Sequence, residues 1–168
     1  MKMKRLAAGM LALMLTTAAA EGVCSGSAAG YKPVGNGAIY SVQMPTFGMN
    51  MSGMAAQVVN EVNMDRQKAG LAPLTVSPEL TAAAAVRAQE IVEKFSHTRP
   101  DGRSWSTVSS IAYGENIAKG HNSANRVMAA WMTSEGHRRN ILRASYGSIG
   151  VYALQINGVM YWVQLFGR

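Results

Sequence analysis

Two histidines and a glutamate are the residues of this chain best suited to chemistry at a shared site. His97 lies in FSHTRPDG, Glu115 in YGENIA and His137 in WMTSEGHRRNIL. Two imidazoles and one carboxylate can hold zinc and leave a position for water. The same set suits other transition metals. A glutamate near a bound water could also act as a base. The spacings from His97 to Glu115 and from Glu115 to His137 are 18 and 22 residues. No local metal motif has such spacings, so only the fold could bring these groups together. Taken one at a time, each residue has a plainer reading. His97 follows a helical stripe and suits a helix C-terminus, where the dipole favours it. Glu115 reads as an exposed carboxylate, and Arg138, Arg139 and Arg143 as a solvated basic face. Ser96 and Ser134 lie near the histidines and invite a Ser–His hydrolase reading. The chain has no G-x-S-x-G elbow, which ranks that reading low.

The elements that must position these residues are legible from periodicity and punctuation. Ser52 reads as an N-cap, with Met54, Val58 and Val62 on one helical face and Asn63, Arg66 and Gln67 at polar positions. Gly70 is a stop signal. Ser77-Pro78-Glu79 opens a second helix with a cap hydroxyl, a proline in the first turn and a carboxylate at the positive dipole end. Its buried stripe is Leu80, Ala84, Ala88, Ile91 and Phe95. The alanines permit close approach to a neighbouring layer. Arg99-Pro100-Asp101-Gly102 is a turn, and the stretch 104–110 reads as irregular surface. Asn122-Ser123 caps a third helix, Ala124 to Thr133, whose inner face is Val127, Ala130 and Trp131. Ser134-Glu135-Gly136 interrupts it. Asn157-Gly158 separates two β-rich runs and predicts a type I′ hairpin. In the second run both alternating sets of residues are largely apolar, so the sheet should be covered on both faces. The expected fold is α+β, a three-layer α-β-α sandwich with a small antiparallel sheet between helices.

The N-terminal part differs in character. Lys2, Lys4 and Arg5 precede an apolar run from Leu6 to Thr16 and a small-residue site at Ala18-Ala19-Ala20. Residues 1–20 are expected to be a secretory signal, with cleavage before Glu21. Residues 21–50 are rich in Gly, Ser and Met and read as a flexible tether, leaving 51–168 as the folded domain. Met44, Met49, Met51 and Met54 close that tether and are expected to dock on the chain's own core. Cys24 is the single cysteine, so no intramolecular disulfide can form. A lipid anchor through Cys24 is the lesser reading, because Glu21-Gly22-Val23 lacks a lipoprotein-type processing pattern. The formal charge of +7 shrinks once Lys2, Lys4 and Arg5 are removed: the remaining basic residues exceed the 9 acidic ones by four. No Lys/Arg run is interleaved with aromatics, which argues against nucleic acid as a partner.

FSHTRPDG, GENIA, AWMTSEGHRRNIL, GSIGVY and YWVQLFG, in this order, resemble the CAP superfamily (cysteine-rich secretory proteins, antigen 5 and pathogenesis-related proteins), and its bacterial disulfide-free branch in particular. The likeness runs from about Ser52 to Arg168. It implies a secreted protein, periplasmic or extracellular, with an α-β-α sandwich and a cavity carrying histidines and acidic residues. It also implies divalent-metal binding, zinc foremost, in some members and sterol or fatty-acid binding in others. By motif, His97, Glu115 and His137 match three cavity positions. The fourth, a glutamate three residues after a helix tryptophan, is Ser134 here, with Glu135 one residue on as a possible substitute. The favoured reading is a non-catalytic extracellular binding protein with a metal-capable His/Glu cavity and a lipid or cell-surface ligand. The alternatives are a metal-dependent hydrolase of peptides or cell-surface polymers and a sterol- or lipid-binding protein.

Overall fold

The computed structural model describes residues 48–168. The expected signal segment, Cys24 and all but the last three residues of the expected tether lie outside the described residues. Helix α1 spans Gly48–Lys68 and begins a turn before the Ser52 cap expected from sequence. Ser52 is an exposed residue inside the helix, while Met51 and Met54 pack against the core. Burial of that apolar face outweighs a local capping signal. The helix ends as Gly70, at φ 71°, lets the Leu71 N–H reach back to the Arg66 carbonyl at 2.9 Å. The connector then contributes a two-residue strand, β1 (Thr75–Val76).

Helix α2 (Pro78–Glu93) starts as expected, with the Ser77 hydroxyl accepting from the Leu80 N–H at 3.2 Å. Leu80, Ala84, Ala88 and Ile91 are fully buried. Phe95 departs from the expected stripe. Lys94 is already extended, so Phe95 swings out of the helix, is 42% exposed, and sits beneath the Lys119 ammonium. The stretch expected to be irregular contains a 3₁₀ turn, Trp105–Val108. Strand β2 (Gly114–Lys119), α3 (Ala124–Thr133) and α4 (Glu135–Ile141) follow. Ser134 ends α3 and starts α4, so His137 lies inside a two-turn helix.

Strands β3 (Ser148–Ile156) and β4 (Val159–Gly167) form the hairpin, with Asn157 at φ 49° and Gly158 at φ 78°, the left-handed pair of a type I′ turn. The sheet order is β1-β3-β4-β2, antiparallel except for the short β1–β3 pair. Both faces are covered. Val163 and Leu165 pack with Leu80, Ala84 and Ile91 of α2 on one face, while Trp162 and Phe166 pack with Val58, Val62 and Trp131 of α1 and α3 on the other. At Gly150 the backbone of α2 lies so close that a Cβ would collide with the Leu80 carbonyl group. This is the three-layer α+β sandwich expected from sequence. Among the described residues no helix is long and apolar enough to cross a membrane.

Candidate functional site

Strand β2 is an edge strand, and successive side chains on it point to opposite faces of the sheet. Glu115 is in register with Leu165 and faces α2; Asn116 is in register with Gln164 and faces α3 and α4. The two histidines are attached to these two neighbouring residues from opposite sides of the edge. His97 comes from the loop after α2. Its Nδ1 meets Glu115 Oε1 at 2.7 Å. His137 comes from α4, where its main-chain carbonyl accepts from Asn116 Nδ2 at 3.1 Å.

Glu115 is 4% exposed, not the solvated carboxylate that its local sequence suggests. A buried carboxylate needs partners, and Arg87 supplies them. Arg87 is fully buried and donates from Nε to Oε2 at 2.6 Å and from Nη2 to Oε1 at 3.3 Å. Its remaining donors hold Glu90 Oε2 at 2.6 Å and the Ser96 carbonyl at 2.7 Å. Burial by itself lowers the Arg87 pKa, but the bonds and charges of Glu115 and Glu90 prevail and raise it. Glu90 in turn accepts from Arg99, whose Nη1 donates to Thr107 Oγ1 at 3.1 Å. Thr107, Arg99, Glu90, Arg87, Glu115 and His97 thus form one continuous polar chain. The turn Arg99–Gly102 closes with the Gly102 N–H on the Arg99 carbonyl at 2.9 Å, and the whole assembly presents a half-exposed His97.

On the other face, side-chain amides do the fastening. Asn140 Nδ2 donates to the Glu115 carbonyl at 3.1 Å and to Asn116 Oδ1 at 2.9 Å. Asn116 Nδ2 also reaches Gln164 Oε1 at 3.0 Å. These bonds fix α4 to the edge of the sheet and so fix His137. The Nδ1 of His137 is buried and has no hydrogen-bond partner. Burial lowers the His137 pKa below the ordinary value, and the charge of nearby His97 lowers it further. The neutral imidazole is therefore favoured, and a neutral imidazole is the form that binds metals.

The expected residues thus come together in part. His97 and Glu115 are in direct contact, and His137 lies within the electrostatic reach of His97. Glu135 does not join them; its side chain is 82% exposed and makes only a long pair, 3.7 Å, with Arg139. Among the described residues no three His, Cys, Asp or Glu side chains are arranged to hold a metal ion. A carboxylate acceptor requires the His97 proton on Nδ1, which leaves Nε2 with a free lone pair in the neutral ring. His137 Nδ1 has no such partner, so nothing comparable fixes which of its nitrogens carries the proton.

Sequence reading missed Arg87, Asn116, Asn140 and Arg66. For the two arginines the available signal was a charge at a position that periodicity assigns to the interior. Arg66 continues the Met54, Val58, Val62 series at the same spacing. It is not at a solvated position but 1% exposed. Its guanidinium donates to the carbonyls of Ala72, Ile141, Arg143 and Tyr146 at 2.8–3.2 Å. It ties the end of α4 to the end of α1. A surface groove of about 470 Å³, lined by Asn60, Asn63, Met64, Gln67, Leu71 and Pro73, includes neither His97 nor His137 and contains no ionisable side chain.

Comparison with known proteins gives a consistent result. The sequence model described as "CAP: Cysteine-rich secretory protein family" matches residues 59–166. An uncharacterized Bacillus subtilis protein, YkwD, is 38% identical over 125 residues, covering 70% of this chain and 48% of YkwD. The chain thus spans about half the length of that relative. Among solved structures, an extracellular Bacillus anthracis protein containing an SCP domain superposes with a TM-score of 0.65 at 24% identity, over 70% of this chain and 41% of that one. An outer surface protein of Borrelia burgdorferi gives 0.60 at 24% identity, over 67% of this chain and 90% of that one.

Proposed function

Because the chain belongs to the cysteine-rich secretory protein (CAP) family, we propose that it is exported and serves outside the cytoplasm as a non-catalytic binding domain. Its cleft between His97 and His137 takes a divalent transition metal, zinc foremost. The observation that carries this reading is the state of the two rings. Buried Glu115 pins His97 through Nδ1, and α4 holds His137, its Nδ1 buried, on the other side of the same strand. His97 is thereby prepared to offer Nε2. Pre-orientation of a metal-binding histidine by a carboxylate is a common way to raise ligand basicity. A bound metal would supply Lewis acidity and open coordination positions for water or a ligand group. The protein's own part is to position the rings and set the charge around them.

A serine-hydrolase reading finds no support in the arrangement. The Ser96 hydroxyl accepts from the Thr98 N–H at 3.0 Å, and Ser134 makes no side-chain capping bond. Neither is bonded to a histidine. Export is supported by the structural relatives, which are described as extracellular or outer-surface proteins.

The test is elemental analysis of protein purified from its native compartment, paired with thermal melts in zinc, copper and magnesium. Zinc at about 100 times its dissociation constant should stabilise the native state by about 2.7 kcal/mol. His97→Ala and His137→Ala should each remove that gain. Flat melts in all three metals, together with metal-free native protein, would reject the reading.

A further inference from the structure

We infer that the basic end of the sheet, centred on Arg143 and Arg168, is a binding site for a linear polymer of phosphate groups that carries no bases. The inference stands apart from the metal reading and rests on different residues.

After Glu115 the chain is polarised: residues 116–168 hold six basic residues and one acidic residue, Glu135. Arg138 and Arg139 lie exposed in the last turn of α4, where the helix dipole also favours them. Arg143 and Arg168 have no such reason. Both are exposed, and neither pairs with an acidic side chain among the described residues. Instead each lies over a tyrosine. The Arg143 guanidinium is 5.5 Å from the centroid of the Tyr146 ring, and the Arg168 guanidinium 4.4 Å from that of Tyr113. The two residues adjoin, since the Tyr146 hydroxyl donates to the Tyr113 carbonyl at 2.8 Å. Tyr146 is buried and stacked on Phe166 at 5.4 Å, and a Cβ at Gly114 would strike its hydroxyl, so this ring is a fixed platform. A guanidinium held by its face against a ring keeps its N–H fork free at the edge, and that fork matches the oxygens of a phosphate. Two such forks on adjoining tyrosines, flanked by Arg138 and Arg139, suit phosphates repeated along a chain. Nucleic acid fits less well, because both rings are taken by arginine and offer no face for a base. A lipid surface fits less well too: Ala144, Ser145 and Gly147, the exposed residues of the turn after Arg143, bring no large apolar side chain to enter it.

The experiment is calorimetric titration of the full-length protein with inorganic polyphosphate over a series of salt concentrations. Wild type should bind, with an affinity that falls as salt rises. Arg143→Gln/Arg168→Gln should weaken binding by about 10-fold or more and make the slope of log affinity against log salt shallower by about 1–2. Lys119→Gln/Arg126→Gln is the control. It removes the same charge from exposed positions near the hairpin end of the sheet, where the Gly120 N–H meets the Met160 carbonyl and the Trp162 indole meets that of His121, and it should bind like wild type. Equal loss in the two pairs would show attraction by net charge alone and overturn the inference; so would a wild type that binds no polyphosphate. Single-stranded DNA bound more tightly than polyphosphate at equal phosphate concentration, or phosphatidylglycerol vesicles bound where polyphosphate is not, would overturn it too. Should Arg143→Gln disturb the Tyr146 platform, seen as a lowered Tm, Arg168→Gln alone carries the test: its salt slope should be shallower by about 1, and an unchanged slope overturns the inference.

Discussion

Replacing Arg66 by methionine removes a guanidinium that joins four carbonyls in two separate stretches of backbone, and its effect can be worked from the structure. Arg66 donates from Nε to the Ala72 carbonyl at 2.8 Å, from Nη1 to Ile141 and Arg143 at 2.9 Å, and from Nη2 to Tyr146 at 3.2 Å. Hydrogen bonds to a charged group contribute about 1.5–3 kcal/mol each, so the gross loss is roughly 6–12 kcal/mol. Against this stands the cost of burying the guanidinium, several kcal/mol in practice; burial also lowers the Arg66 pKa. Methionine fills much of the same volume and recovers apolar packing with Val62. The net expectation is a loss of about 3 kcal/mol, or roughly 10–15 °C in Tm for a domain of this length. Arg66→Lys should fall between the two, because one ammonium cannot reach four carbonyls spread across a planar fork. The assay is thermal and urea denaturation of the three proteins without metal. The slope of the urea transition should stay unchanged, so that the difference reports the native state. If Arg66→Met and Arg66→Lys both melt within about 3 °C of wild type, the carbonyl clamp is not holding the end of α4, and the reasoning fails.

Further outcomes follow from other sites. Gly150→Ala should destabilise by about 3 kcal/mol, because its Cβ would meet the Leu80 backbone, which cannot rotate away as a side chain could. Gly53→Ala is the control: that position lies in α1 with open space around it, and alanine should add about 0.5–1 kcal/mol; equal melting of the two variants would contradict the close approach of α2 to β3. The pH dependence has a definite sign. His137 is a base whose folded pKa is lowered, by burial first and by His97 second. The unfolded chain therefore binds more protons between the two values. The His137 contribution is complete above the ordinary histidine pKa of about 6.5 and is lost as pH falls through the lower folded value. His137→Gln should flatten the fall in metal-free stability below about pH 6.5, as read by melts across an acid series; an unchanged slope would argue against a neutral, buried ring.

Much of the fold could be read in advance because its signals are local. The Asn157-Gly158 hairpin, the Ser77-Pro78 helix start and the limits of α3 each depend on residues a few positions apart. The two-sided burial of β4 follows from a strand whose alternate residues are all largely apolar. The failures share a cause. Arg66 and Arg87 fall on the inner faces of their helices; its charge places Arg66 among the polar positions, and Arg87 carries no local mark of a role. What makes their burial tolerable is far away in sequence: Ile141 for Arg66 and Glu115 for Arg87. Periodicity puts Phe95 on the α2 stripe because it carries no information about where the backbone leaves the helix. The meeting of His97 with Glu115 was legible only through family resemblance. Asn116 and Asn140 gave no warning, since an amide in a strand and another one turn after a histidine become a fastening only when β2 and α4 are brought together.

The most direct measurement follows the ring nitrogens of the chain's three histidines by heteronuclear NMR during zinc titration. His97 and His137 should both titrate through Nε2, with the Nδ1–H of His97 retained on Glu115 and with His121 unmoved as an internal reference. Zinc that leaves both rings unchanged, or that moves His121 alone, would contradict a cleft built around the edge of β2.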